Sequence, residues 1–276
     1  RQERRYICHA CGKTFAETQG TVFFGLHYPI WVVVLVLTLL AHGCPIAAIV
    51  AAFLIDERTV LDWLHRAGQH GKAVQAQVVC NGQVELGQVQ ADELQAKTQK
   101  GKVWIATAVS VFSRLFLWGE VSPNRDTSLV KRLMQKVRQA ASSTTQALLI
   151  AVDGFAAYPK AVFQTFYTKV KTGRPGRPRH LLWPDLHVVQ VIKQYSGRVL
   201  KSVSRRLVYG SLDRVYEIIA MTQVEFGVIN TAFSERFNAT LRARLPALVR
   251  RTRNLARATQ RLEDELFWGG VVYNFC

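Results

Sequence analysis

The chain has 276 residues, 49% of them hydrophobic, and carries 36 Lys and Arg against 19 Asp and Glu, a formal charge of +17. That imbalance calls for a polyanionic partner, and the length and apolar share are enough for about two packed domains. A basic membrane-surface protein could share the charge, but it would have little use for isolated acids set between strands and helices.

The chain opens at Arg1 inside a basic run and closes at Phe275-Cys276 without a polar tail, so it reads as a fragment. Five cysteines with no signal-peptide pattern fit a reducing, cytoplasmic setting, and an odd number is a poor disulfide framework. Residues 1–22 hold Cys8-His-Ala-Cys11-Gly-Lys. Cys-x-x-Cys before Gly is a zinc-ribbon knuckle, with two thiolates on a tight turn that glycine lets curl towards the metal. Tetrahedral zinc needs four ligands, and Cys44 and Cys80 are single. The segment is therefore either half of a zinc ribbon, with Cys8 and Cys11 ligating Zn²⁺ completed from elsewhere, or a loop with two thiols.

Residues 27–68 read as a helix-turn-helix. Two uncharged runs, Ile30–Ala41 and Pro45–Ile55, are separated by His42-Gly43-Cys44, and each is too short to span a bilayer alone. Asp56 is an N-cap candidate and Gly68 a stop for an amphipathic third helix. Its inward residues are Val60, Leu61 and Leu64, while Arg58 and Arg66 face out as DNA contacts in a major groove. A membrane hairpin is the alternative. Residues 69–83 read as a polar linker into a second domain, 84–276.

In that domain the period changes to strands at Val84–Glu93, Lys102–Ser110 and Arg114–Val121, a meander. A helix follows from about Asp126 to Ala141, with Leu129, Leu133, Met134 and Val137 on one face. Ala147–Val152 is a continuous apolar strand, as a buried central position requires, and Phe155–Thr168 looks helical. Three antiparallel strands, a helix, a buried strand and a helix predict an α/β fold with a ribonuclease-H-like core. A generic α/β sandwich is the alternative, because strand order is not written in one sequence.

Three acids stand out. Glu235 heads a helix otherwise rich in arginine: between Arg236 and Arg261 there are eight arginines and no Asp or Glu. A helical face repeating at 235, 238 and 242 presents Glu235, Asn238 and Arg242 together. Asp92 lies on the first strand and Asp153 ends the fourth, where a parallel pair would bring their carboxylates together. Buried acids are costly unless paired with cations. Two Mg²⁺ ions held by Asp92, Asp153 and Glu235 would suit in-line phosphoryl displacement, activating a water or 3′-hydroxyl and stabilising the leaving oxygen. Singly, each acid also fits a cap, a turn or a salt bridge. Glu93 competes with Asp92, and strand alternation allows only one of the two to point into the site.

The segments Val89-Gln-Ala-Asp92-Glu-Leu, Ala151-Val-Asp153-Gly-Phe-Ala-Ala-Tyr-Pro and Asn230-Thr-Ala-Phe-Ser-Glu235-Arg-Phe-Asn238-Ala-Thr-Leu-Arg242-Ala-Arg244 resemble the acidic motifs of insertion-sequence-one-type transposases. That family belongs to the Asp-Asp-Glu transposase group with a ribonuclease-H-like catalytic fold, and the likeness covers nearly the whole chain. It implies Asp92, Asp153 and Glu235 as the metal-binding catalytic triad, with Asn238 and Arg242 supporting it or holding DNA. It further implies an N-terminal zinc-binding segment, a helix-turn-helix for terminal inverted repeats, strand cleavage and transfer, and a homo-oligomer on double-stranded DNA.

The basic insertion 169–209 holds Gly173-Arg-Pro-Gly-Arg-Pro-Arg179. Arg174, Arg177 and Arg179 there resemble an AT-hook core for a narrow minor groove, or form a loop that touches phosphates without choosing a groove. Arg244, Arg250 and Arg251 are further candidate DNA contacts. Two rivals to the transposase remain: a structure-selective nuclease on the same fold, and a non-catalytic helix-turn-helix DNA-binding protein.

Overall fold

The structure is a computed structural model, and it describes residues 3–81, 84–144, 147–171, 177–223, 227–249 and 255–276. Strands β1 (Arg5–Ile7) and β2 (Thr14–Ala16) form an antiparallel hairpin, and Cys8 and Cys11 lie in its turn. Gly12 takes φ +70° there, a left-handed conformation that costs glycine little.

Helices α1 (Ile30–Ala41), α2 (Ile46–Phe53) and α3 (Glu57–Val74) follow. The two apolar runs supply α1 and α2, which pack with α3 around Val36, Ile49, Val60, Trp63 and Leu64. Among the described residues no helix is long and apolar enough to cross a membrane. Asp56 caps α3, its carboxylate accepting the Arg58 backbone N–H at 2.8 Å; such a cap contributes about 1 kcal/mol.

Helix α3 does not stop at Gly68. It runs on to Val74 and continues as a π-helical turn, Gln75–Val79, through most of the predicted linker. Gly68 is a contact point: a Cβ there would lie 2.4 Å from the Asp264 Cα. Gln75 is likewise buried, donating to the Leu117 carbonyl at 3.0 Å and accepting from Asn274 Nδ2 at 3.1 Å. Residues that look polar and breakable in sequence are here packed against a partner remote in the chain.

The remaining elements are β3 (Gln88–Thr98), β4 (Gly101–Ser110), β5 (Phe116–Ser122), α4 (Thr127–Ala140), β6 (Leu148–Asp153), α5 (Ala157–Phe163), β7 (Tyr167–Val170), β8 (Arg179–Leu182), β9 (Leu186–Ser196), β10 (Val199–Tyr209), α6 (Leu212–Thr222), α7 (Ala232–Arg244) and α8 (Thr259–Phe275). The fold is α/β, built on a mixed six-stranded sheet of order β10-β9-β6-β3-β4-β5. Strand β6 runs parallel to both neighbours, β3 and β9, and the other pairings are antiparallel. The predicted helix over Phe155–Thr168 is shorter: α5 ends at Phe163, and Tyr167–Val170 pairs with β8 as a small hairpin.

Alternation along β6 divides its side chains between two layers. Leu148, Ile150 and Val152 join the main core with Leu129, Leu133 and Val137 of α4 and Tyr158 of α5. Leu149 and Ala151 face Val215, Ile218 and Ile219 of α6. A strand covered on both faces must be apolar throughout, which accounts for the unbroken run in the sequence. Each fully buried Leu, Ile or Val there contributes about 1.5–3 kcal/mol relative to exposure.

Candidate metal centre

Parallel pairing of β3 with β6 is in register at Ala91 and Val152, so Asp92 and Asp153, one residue further along each strand, stand side by side. Asp92 is held at both oxygens. Its Oδ1 accepts the Glu93 backbone N–H at 2.8 Å, and its Oδ2 accepts Asn238 Nδ2 at 2.8 Å. The Asn238 Oδ1 in turn accepts the Thr107 hydroxyl at 3.2 Å, which links α7, β3 and β4. Asp153 Oδ1 accepts the Phe155 N–H at 2.9 Å, a tight turn that fixes the carboxylate just past the strand end.

Glu93 also belongs to the group: ligand oxygens of Asp92, Glu93 and Asp153 all lie within 4.8 Å of one another. Alternation is expected to admit only one of the Asp92–Glu93 pair to the site; the three carboxylates gather, while among the described residues it is Asp92 of the pair that lines the adjoining cavity. The pleat does alternate, but β6 ends at Asp153, so carboxylates from the two faces meet around the open strand end. Arg125, in the loop before α4, bridges two of them, its Nη2 lying 3.1 Å from Glu93 Oε2 and 3.5 Å from Asp153 Oδ2.

Burial dominates the electrostatics. Desolvation raises the Asp92 carboxyl above its ordinary value, and the charges of Asp153 and Glu235 add to it, against the Glu93 N–H and Asn238 that favour the ionised form. Burial pushes Glu93 up to about 7, further raised by Asp153 and only partly offset by Arg125. Such shifts mark groups that are ionised at a cost when no cation is close.

A cavity of about 600 Å³ opens beside this group, and Asp92, Arg125, Asp153, Lys193, Thr231 and Glu235 are among its lining residues. Glu235 therefore shares the cavity but stands outside the close group of three. Its Oε1 accepts the Thr231 hydroxyl at 2.7 Å and forms an ion pair with Lys193 of β9. The start of α7 is set by Gln90 of β3, whose Oε1 accepts the N–H groups of Phe233 and Ser234 at 2.9 and 3.1 Å. One strand thus carries Asp92 and caps the helix that carries Glu235.

The predicted face of Glu235, Asn238 and Arg242 divides. Glu235 and Arg242 are exposed, whereas Asn238 is 1% exposed, with its amide engaged by Asp92 and Thr107. Asn238, expected to support the acids or to hold DNA, is here buried and bonded to Asp92. Arg244 is half-buried, its guanidinium 6.0 Å from the Tyr273 ring. Arg58 is exposed at the start of α3, and Arg66 is engaged by Asp62 and the Phe24 carbonyl. Arg177 and Arg179 are exposed at the basic hairpin, while Arg174, Arg250 and Arg251 lie outside the described residues.

In the N-terminal hairpin, the Cys8 thiol is held below its usual value by the Cys11 N–H, then the Cys11 thiol and the Ala10 N–H. Among the described residues Cys8 and Cys11 are not part of a group of three metal-ligating side chains. Sequence reasoning missed Arg125 and Lys193. Arg125 was visible only as part of a helix-opening Pro123-Asn-Arg-Asp126, and Lys193 only as one cation in a basic strand.

No protein-family model matches this chain, and no curated protein matches its sequence.

Proposed function

We propose that the chain is a DNA transposase of the Asp-Asp-Glu group, with a ribonuclease-H-like catalytic domain, a helix-turn-helix over residues 27–68 and a zinc-binding knuckle at Cys8 and Cys11. The observation that carries this reading is the side-by-side placement of Asp92 and Asp153 on parallel strands, with a helix bearing Asn238 and Glu235 tied to the same strand. Three antiparallel strands followed by a helix and a buried strand parallel to the first support the ribonuclease-H-like core.

The donor set fits a hard divalent cation such as Mg²⁺: the group offers carboxylate oxygens only, and Glu93 Oε1 is buried without a partner among the described residues. When bound, such ions supply Lewis-acid activation of the attacking oxygen and charge relief at the leaving one. The chain's own residues do the rest. Asn238 and the Glu93 N–H fix the Asp92 carboxylate, Thr231 and Lys193 hold Glu235, and the cations Arg125 and Lys193 line the cavity where a phosphodiester would enter. Arg198 and Lys201, exposed on the β9–β10 hairpin whose strand β9 also carries Lys193, would add phosphate contacts. Two element ends joined in one complex would call for a homo-oligomer on DNA, acting in the cytoplasm at the nucleoid.

The test is strand joining. Full-length chain, Mg²⁺ and a duplex carrying the element's end should yield cleaved ends and their covalent products with target DNA, and Glu235→Gln should lose both while still binding. Cleavage without joining would make the protein a nuclease. Binding alone, unaffected by Glu235→Gln, would leave the DNA-binding rival.

A further inference from the structure

Among the described residues, the Arg125 guanidinium is the cation that pairs with both Glu93 and Asp153 of the acidic group. Its contact with Glu93 is a good charge-assisted hydrogen bond at 3.1 Å, but that with Asp153, at 3.5 Å, is at the limit of the range. The same guanidinium lies 4.1 Å from the Phe155 ring centroid and 5.1 Å from that of Trp104. Glu93 has no exposed side-chain surface, and its second oxygen, Oε1, is buried without a hydrogen-bond partner among the described residues. The Tyr158 hydroxyl, fully buried in the field of the same acids, has no partner among the described residues either.

A buried carboxylate with one oxygen unpaired is an incomplete site. One guanidinium cannot complete it, because its charge is spread and its contacts reach only two of the three acids. A divalent ion concentrates two charges and takes six or more oxygen ligands, which matches what is left open. The ligand oxygens are already gathered within 4.8 Å.

We propose that Arg125 is a tethered counter-cation that bridges Glu93 and Asp153 until a divalent ion replaces it, and that Glu93 then joins Asp92 and Asp153 as a ligand of that ion. Like charge expels the guanidinium when the ion enters, and the faces of Phe155 and Trp104 give it a place to stay by cation–π attraction. The inference rests on the reading of the acidic group as a divalent-cation site and not on the chemistry done to DNA.

Mn²⁺ binding to the full chain without DNA, followed by the paramagnetic resonance of the free ion, tests it. Arg125→Gln should bind Mn²⁺ about fivefold or more tighter than wild type, since one repelling charge is gone. Arg125→Lys, which keeps the charge, should stay near wild type. Glu93→Gln should bind about tenfold or more weaker. Should Arg125→Gln not fold, Arg125→Met keeps the apolar stem on Phe155 and takes its place. Arg125→Gln binding no tighter, Arg125→Lys gaining as much as Arg125→Gln, or Glu93→Gln binding unchanged would each overturn the proposal. Asp153→Asn separates the two levels: if it loses Mn²⁺ while Arg125→Gln gains none, only the role of Arg125 falls. If wild type and Asp153→Asn bind alike, the metal-centre reading falls with it.

Discussion

Asn238 uses both ends of its amide, donating to Asp92 Oδ2 at the cavity edge and accepting from Thr107 in the interior. Asn238→Ala leaves the Thr107 hydroxyl and one Asp92 oxygen short of a partner, a loss of roughly 1–3 kcal/mol by thermal unfolding. Mg²⁺-dependent cleavage is expected to fall about 10–100-fold, as for other groups that orient metal ligands. An unchanged rate in a folded variant would show that the strand alone positions Asp92. Glu93 offers a second check. Its carboxyl is raised in the folded protein from 4.5 to about 7. The folded state therefore holds that proton more tightly than the unfolded chain does. The contribution to stability is complete below about pH 4.5 and is lost as pH rises through about 7. Its full size is on the order of 3 kcal/mol. With divalent ions chelated, wild type should lose stability between pH 5 and pH 8, and Glu93→Gln should lose distinctly less; denaturant midpoints at the two pH values measure this. Equal losses would mean that Glu93 does not titrate in this window. Asp92 and Asp153 were legible because an acid on an apolar strand is conspicuous. Glu93 and Arg125 were not, because what joins them is the end of β6, a tertiary feature with no local mark.

At the level of elements, the sequence resolves strands and helices where burial follows a simple period and misleads where a residue has a distant partner. Strands β4 and β5 and helix α4 lie within two residues of their predicted limits, and Asp126, like Asp56, serves as a cap. Gly68 shows the opposite case. As a helix stop it would be ordinary, yet it lies inside α3 because α8 packs there, with Asp264 against its bare Cα. In an exposed helix Gly→Ala stabilises by about 1 kcal/mol. At Gly68 the sign should reverse, with Gly68→Ala destabilising by about 1–3 kcal/mol because the methyl meets the α8 backbone. Chemical unfolding decides it: a stabilised Gly68→Ala would mean that α3 and α8 do not pack this closely. The β7–β8 hairpin was missed for a related reason, since a strand pair that closes around an insertion has no period long enough to read.

For the whole molecule, the charge of +17 and the exposed cations of the β9–β10 hairpin call for DNA affinity dominated by phosphate contacts. Affinity for a duplex should fall by about 10³–10⁵ between 50 and 200 mM salt if 6–10 phosphates are neutralised. Replacing Lys201 or Arg198 by Ala should lower the slope of log K against log salt by roughly one each. Fluorescence anisotropy across a salt series reads both, and a flat series would remove DNA as the partner. Composition points to a polyanionic partner and the basic strands over 188–195 and 199–209 are readable in the sequence, but their place in the sheet, with β9 beside β6, is not. The most direct measurement is Mg²⁺-dependent cleavage of a duplex carrying the element's end, with wild type beside Asp153→Asn. The expected result is 3′-hydroxyl products from wild type only in the presence of the metal, and none from Asp153→Asn at equal DNA occupancy. Cleavage by Asp153→Asn at the wild-type rate would contradict the assignment of the acidic group as the catalytic centre.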